Sequence, residues 1–245
     1  MILGLIPSRL NSKRLKNKPL LEIDGLPIIV HTFKRALLSK KIDRVIVCTD
    51  SNKIVDVVKR HGGEALLTSK KHKNGTERIF EISKKFKNLE YVIDIQGDQP
   101  LFDPRAIDKT IDFHRKNKKY DIVLPSMHIH RDPGNKNLVK AIFSKNGKLI
   151  YFSRSLTPFN YKKAKIKYFK NLSVISFRPN ALKIFFNSKM GKIEKIEGIE
   201  LMRALENELS IGTFVMKGDD FAVDVNEDLM KAIDVMPRDR IRKLY

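Results

Sequence analysis

Apolar positions along the chain gather into short β-branched runs, separated by stretches in which they recur at helical spacing. Ile2-Leu3-Gly4-Leu5-Ile6 predicts a buried strand, followed by a polar and basic stretch from Pro7 to Pro19. Residues Pro27 to Leu38 carry the helical spacing, and Arg44 to Thr49 predict a second strand ending in Asp50. A helix from about Lys53 to His61 is expected to stop at Gly62-Gly63, where glycine accepts a left-handed cap, and Glu64-Ala65-Leu66-Leu67 reads as a strand. Gly75-Thr76-Glu77-Arg78 opens another helix, with Thr76 as its expected N-cap. Tyr91-Val92-Ile93-Asp94-Ile95 then predicts a strand that leads into Gln96-Gly97-Asp98-Gln99-Pro100.

Strands alternating with helices in this way imply an α/β fold with a mostly parallel, doubly wound sheet, whose ligands lie beyond the carboxyl ends of the strands. From Ile122 the pattern loosens. Val139 to Phe143 and Asn171 to Phe177 read as strands, whereas Tyr151 to Lys170 is irregular and basic, which suggests a small inserted lobe. Ile196 to Leu209 reads as one amphipathic helix and Ser210 to Met216 as a strand, and Asn226 is the expected cap of the last helix. At 245 residues the chain suits a single domain, 1–245, with the lobe at roughly 150–210.

Composition narrows the class. Hydrophobic residues at 42% and charged residues at 31% are ordinary for a globular protein and argue against a disordered or fibrous one. No run approaches a membrane span and the first residues lack a signal peptide's basic start, so the expected location is the cytoplasm, away from membranes. Cys48 is the only cysteine; it lies in an apolar run and reads as a packed core thiol. Lys and Arg number 49 against 28 Asp and Glu, a net charge of +21 that draws in polyanions, nucleoside triphosphates and nucleic acids alike. Most of the excess is dispersed lysine, which a solvated surface also explains. The sharpest bias is local: residues 151–190 hold nine Lys or Arg and no Asp or Glu.

The loop after the first strand concentrates Arg9, Lys13, Arg14, Lys16 and Lys18, a match for a phosphate-bearing ligand, yet it contains neither the dinucleotide fingerprint nor the P-loop pattern. Asp98 and Asp224 each follow an apolar strand and are candidates for a shared Mg²⁺ site, because that ion takes one or two carboxylates plus substrate phosphates and waters. Spacing alone leaves turn or cap roles open for both.

Ile6-Pro7-Ser8-Arg9, with Arg14-Leu15 through Lys18-Pro19-Leu20, resembles the opening loop of the CMP-Kdo synthetases, the 3-deoxy-manno-octulosonate (Kdo) cytidylyltransferases. Further matches follow in the same order: Thr49-Asp50, His61-Gly62-Gly63, Gly75-Thr76-Glu77-Arg78, Gln96-Gly97-Asp98 with Pro100, Tyr151-Phe152-Ser153-Arg154, and Val223-Asp224 with Glu227-Asp228-Leu229. Each is weak alone; together they span nearly the whole chain. The resemblance implies a fold of nucleotide-diphospho-sugar transferase type and transfer of CMP from CTP to the anomeric hydroxyl of Kdo or a closely related 3-deoxy-2-ulosonic acid such as 8-amino-Kdo, with release of pyrophosphate. It implies Mg²⁺ held by Asp98 and Asp224, and a catalytic set of Arg9, Lys18, Asp98 and Asp224. Pro7, Ser8, Arg9, Arg14, Lys18, Thr76, Arg78, Gln96 and Asp98 become nucleotide-binding residues. Arg154, Asn171, Glu197 and Glu200 become sugar-acid-binding residues, and the 150–210 lobe takes a share in dimerisation. CTP and a sugar acid are the implied partners in a homodimer of lipopolysaccharide biosynthesis, with no nucleic acid.

The chain departs from the family's pattern in places. Gln99 stands where glutamate usually follows Gln-Gly-Asp, and Asn74 where serine usually precedes Gly-Thr-Glu-Arg. Asn171-Leu172-Ser173-Val174-Ile175-Ser176-Phe177-Arg178 replaces a His-Leu-Gly-Ile-Tyr-Gly-Tyr-Arg segment, and Glu200-Leu201-Met202-Arg203 replaces Glu-Gln-Leu-Arg. Lost hydrogen-bonding groups change which sugar acid a site prefers. Glu197 and Glu200, three apart on the expected helix, share one face and could accept hydrogen bonds from sugar hydroxyls or an amino group. The alternatives are a cytidylyltransferase for a different sugar acid, an enzyme-like remnant that keeps only its nucleotide site, and a basic nucleic-acid-binding protein. The last lacks any recognisable RRM, KH or zinc-finger signature.

Overall fold

The computed structural model describes residues 1–11, 14–217 and 222–245. The chain divides into two compact units: the first is residues 1–109 with 219–245, and the second, inserted between them, is residues 110–218.

In the first unit, four β-branched runs form parallel strands: β1 (Ile2–Ser8), β4 (Arg44–Thr49), β5 (Glu64–Leu67) and β6 (Tyr91–Ile95). Ile2, Leu3, Leu5, Ile6, Ile46, Val47, Val92 and Ile93 are fully or almost fully buried, so these runs are apolar on both faces, as a covered parallel sheet requires. The strands lie in the order β5-β4-β1-β6. Three helices connect them: α1 (Ile28–Leu37), α2 (Asn52–Arg60) and α3 (Gly75–Ser83). After β1 the chain builds outward on one side through β4 and β5, then returns to the other side of β1 as β6. The strand order therefore reverses between β1 and β6, the place where open α/β sheets bind ligands beyond their carboxyl ends.

A hairpin of β2 (Glu22–Ile23) and β3 (Leu26–Pro27) turns through Asp24 and Gly25, both at positive φ (47° and 73°), the conformation that Asp-Gly favours in a tight hairpin. The last part of the chain belongs to this unit and forms α8 (Asn226–Val235); Ala232 within it, with Val223 before and Met236 after, packs on Ile23 and Ile28.

The chain passes from the first unit to the second within α4 (Arg105–Lys116). In the second unit, β7 (Ile122–His128) is the organising strand. Along one edge it pairs in parallel with β12 (Ile211–Met216), from Ile122↔Ile211 to Met127↔Met216. Elsewhere it pairs antiparallel with β11 (Val174–Phe177) at its start and β10 (Phe169–Asn171) at its end. The predicted single strand over Asn171–Phe177 is thus two short strands. Outward from β10 lie β8 (Lys140–Phe143) and β9 (Leu149–Ser153), and the unit also carries α5 (Pro179–Asn187).

The amphipathic helix expected from Ile196 to Leu209 is absent. In its place stand α6 (Lys192–Glu197) and α7 (Met202–Glu206), separated at Gly198, which caps α6 in the left-handed conformation (φ +62°). The apolar periodicity runs through Gly198, but a residue free to take positive φ ends the helix there. Glu197 closes α6 and Glu200 lies in the following turn, so the two do not share a helix face. Two capping expectations change as well. Asn74, not Thr76, caps α3, its side chain accepting from the Glu77 N–H at 2.9 Å. Asn226 is the first helical residue of α8, whose N-terminus is capped by Asp228.

Candidate active site

Three loops leave the carboxyl ends of β1, β4 and β6 side by side. Ser8 pairs with Thr49 and Leu5 with Asp94 in the parallel register, which brings Arg9, Asp50 and Gln96 to the same end of the sheet. The loops are packed closely. A Cβ on Gly97 would lie 2.7 Å from the Pro7 carbonyl oxygen, and one on Gly75 3.1 Å from the Pro7 ring. The Gly-Asp and Gly-Thr motifs therefore meet at Pro7, and only glycine permits the approach at position 97. Thr32 in α1 also donates to the Gly97 carbonyl at 3.4 Å.

The predicted charged residues converge here. Lys18 Nζ donates to Asp98 Oδ2 at 2.7 Å and to Asp224 Oδ1 at 3.1 Å, and Arg14 reaches the same Asp224 oxygen at 2.9 Å. Lys18 gets there by a 3-10 turn over Lys18–Leu20 whose middle residue, Pro19, is buried. Asp224 is placed by two local devices. The Val223 N–H donates to the Asp98 carbonyl at 3.0 Å, tying the two aspartate segments together. Asp228 then accepts from the Asp224 and Val225 N–H groups at 2.9 and 3.1 Å, fixing the start of α8. Arg9 is exposed, and Lys13 lies outside the described residues.

Thr76 and Arg78 are buried in the first turn of α3. The Arg78 guanidinium donates to Thr68 Oγ1 and, at 2.9 Å, to Asp50 Oδ2, so it is held from the β4 and β5 ends. Gln96 Nε2 donates to both carboxylate oxygens of Asp94 at 3.1 Å. The Ser8 hydroxyl is buried without a hydrogen-bond partner among the described residues, an orphan group that a ligand acceptor or donor would satisfy.

In the second unit, the Glu197 carboxylate accepts from the Tyr151 hydroxyl (3.5 Å), the Ser153 hydroxyl (3.2 Å) and the Arg154 N–H (2.9 Å). Desolvation, with the Glu197 charge next, raises the Tyr151 pKa above the ordinary phenol value. The Arg154 guanidinium donates to the carbonyls of Lys136, Glu197 and Gly198, and pairs with neither glutamate side chain. Beside it the buried Lys140 ammonium donates to the carbonyls of Asn135 and Arg154 at 2.7 and 2.8 Å, and desolvation lowers its pKa. Asn171 sits at the end of β10 opposite Ser126, and Glu200 is half-buried in the turn before α7.

A family model described as cytidylyltransferase matches residues 3–211. The chain belongs to the cytidylyltransferase family. It is 39% identical to a 3-deoxy-manno-octulosonate cytidylyltransferase of Thermodesulfovibrio yellowstonii, over 92% of this chain and 94% of that one. Likewise it is 35% identical to a protein of the same name from Fusobacterium nucleatum, over 98% of both chains. Among solved structures it resembles a CMP:2-keto-3-deoxy-manno-octonic acid synthetase complexed with CTP, with a TM-score of 0.93 and 28% identity over 97% of this chain and 98% of that one.

In this cytidylyltransferase the donor chemistry around Lys18 suits a hard divalent cation. Two carboxylates, from Asp98 and Asp224, reach the same ammonium nitrogen, an oxygen-only set to which substrate phosphates and waters can add. Among the described residues no third His, Cys, Asp or Glu joins them. No helix among the described residues is long and apolar enough to cross a membrane. The residues that sequence motifs do not single out are those that hold the others: Thr68 behind Arg78, and Asp94 behind Gln96. For Asp94 the available signal is its place two residues before Gln96, hence on the same face at the end of a strand.

Proposed function

We propose that the protein transfers CMP from CTP to the anomeric hydroxyl of Kdo or a closely related 3-deoxy-2-ulosonic acid, releasing pyrophosphate. The observation that carries this reading is the convergence of Lys18, Arg14, Asp98 and Asp224 at the switch point of the first unit's sheet, in a chain whose relatives of nearly equal length bear that activity in their names.

In this reading the substrate hydroxyl attacks the α-phosphorus in line with departing pyrophosphate, and negative charge spreads over the phosphate oxygens. Arg9, Arg14 and Lys18 supply fixed positive charge to the triphosphate, and the Ser8 hydroxyl and the neighbouring backbone complete its hydrogen bonds. No protein nucleophile takes part, because bringing two anions together in the right geometry is the main task. Thr76, Arg78 and Gln96 are assigned to the cytidine. Asp98 and Asp224 would hold Mg²⁺, which when bound neutralises phosphate charge and orients the triphosphate. The second unit's Arg154, Asn171, Glu197 and Glu200 are assigned to the sugar acid, and the 150–210 lobe to a homodimer contact. The enzyme would act in the cytoplasm, in surface polysaccharide synthesis.

The test follows pyrophosphate release with CTP and MgCl₂ against Kdo, 8-amino-Kdo and a sialic acid in turn. Asp98→Asn should lower turnover by roughly a hundredfold or more, the scale on which electrostatic transition-state contacts act. CTP binding without turnover on any of the three acids would overturn the acceptor assignment, and normal turnover by Asp98→Asn would overturn the role of that carboxylate.

A further inference from the structure

We propose that Lys18 is a built-in counter-cation: its ammonium keeps the Asp98 and Asp224 carboxylates closed to a divalent metal until a triphosphate draws it away, so that metal and nucleotide load together. This role rests on the reading of the two carboxylates as metal ligands of a CTP-dependent transfer, and it adds a regulation of that site.

One ion bound by both Asp98 and Asp224 must lie between them, and the ammonium sits in that place. Lys18 Nζ is 2.7 Å from Asp98 Oδ2 and 3.1 Å from Asp224 Oδ1. Mg²⁺ requires direct contact with its oxygen ligands at about 2.0–2.1 Å. Ion and ammonium would then stand within a few ångströms of each other, where two cations repel. The charges are also already balanced. Arg14 donates to the same Asp224 oxygen at 2.9 Å, so two carboxylates face two cations and the cluster has no surplus negative charge to draw in a divalent ion.

Of these groups the ammonium is the one free to leave. The Asp98 carbonyl accepts from the Val223 N–H at 3.0 Å and Asp228 accepts from the Asp224 N–H at 2.9 Å, so both aspartates hang on fixed backbone. The Lys18 backbone is fixed as well, in its 3-10 turn with Pro19 buried, but the charge ends a flexible four-carbon stem. A triphosphate offers that ammonium and the Arg14 guanidinium a more highly charged anion than one carboxylate. With both cations turned to phosphate, the aspartates regain two uncompensated charges, and phosphate oxygens join them as further ligands. Metal and nucleotide binding are thereby coupled through one side chain, and each ligand raises the affinity for the other by the same factor.

The experiment titrates the protein with Mn²⁺ as the probe ion, without nucleotide, and reads the loss of the free ion's paramagnetic resonance signal. The wild type should bind it weakly. Lys18→Met, which keeps much of the stem and removes the charge, should bind it about tenfold or more tightly, the scale of a unit charge a few ångströms from the ion and partly screened by solvent. Lys18→Arg should restore weak binding, and Asp98→Asn added to Lys18→Met should abolish the gain. Lys16→Met, which removes a charge from the same loop at an exposed position, should change the affinity by no more than about twofold. Should Lys18→Met fail to fold, Lys18→Gln replaces it and must show the same gain. Equal Mn²⁺ affinity in the wild type and the variant that lacks the charge, or a gain that survives Asp98→Asn, overturns the proposal. So does metal-free CTP, titrated in EDTA, that binds the wild type no better than Lys18→Met, because phosphate then does not draw the ammonium. Metal and CTP titrations that behave as stated, with no turnover on any sugar acid, would instead overturn the acceptor assignment and leave the role of Lys18 standing; a wild type that binds no CTP would overturn both.

Discussion

At the residue scale, two histidines show how burial alone sets chemistry. His31 is completely buried in α1, with Nε2 2.6 Å from the Ile23 carbonyl and Nδ1 2.9 Å from the Tyr245 hydroxyl, and desolvation pulls its pKa down to about 4. His114, buried in α4 between Ser176 and the Tyr120 carbonyl, is pulled down to about 4 by the same cause. Neither is part of the site. In each case the folded pKa lies below the ordinary histidine value of about 6.5, so between about 6.5 and 4 the unfolded chain binds more protons than the folded one. The stability these groups contribute is therefore present above pH 6.5 and lost as pH falls toward 4, on the order of 2 to 3 kcal/mol for each. The thermal midpoint should drop across that window, and His31→Gln should flatten part of the slope. A variant with the full wild-type slope would rule out His31 as its source.

Elements show which features were legible. The strands over Arg44–Thr49, Glu64–Leu67 and Tyr91–Ile95 stand where the sequence pattern puts them, because a β-branched run between polar loops has few other uses in an alternating chain. Residues Ile196 to Leu209 mislead because their apolar period survives the Gly198 break, and periodicity does not register a single left-handed residue. The Asp98, Asp224 and Lys18 cluster was legible through motif resemblance, whereas Thr68, the partner of Arg78 ten residues away, and Asp94, the neighbour of Gln96 two residues before it, carry no motif. Across the α6–α7 break lies a buried pair: Arg203 donates twice to Glu194, at 2.8 and 2.6 Å, and its guanidinium stacks over Phe185. Arg203 thereby joins the two short helices that replace the expected single one. Removing one partner leaves the other charge buried, so Arg203→Met should destabilise by about 3 to 5 kcal/mol, while Glu194→Met with Arg203→Met should cost much less. Equal losses in thermal unfolding for the single and double variants would refute that account.

For the whole molecule, charge matters more than any one contact. With a net charge of +21, the field around the protein favours the approach of a triphosphate over its departure. Raising salt from low to physiological ionic strength shortens the screening length to about 8 Å and should lower kcat/KM for CTP several-fold, with kcat changed less. A kcat/KM indifferent to salt would confine the electrostatic contribution to Arg14, Lys18 and their immediate neighbours.

Cys48 adds a practical consequence of the fold. It is fully buried in β4, opposite Pro7 in the strand that carries the first loop, and burial pushes its thiol pKa up. As the chain's one thiol it is chemically silent while that strand pair is closed. Any modification by a thiol reagent must wait for the sheet to part, so the rate of labelling serves as a clock for the opening of the central strands, installed in the protein without a single substitution.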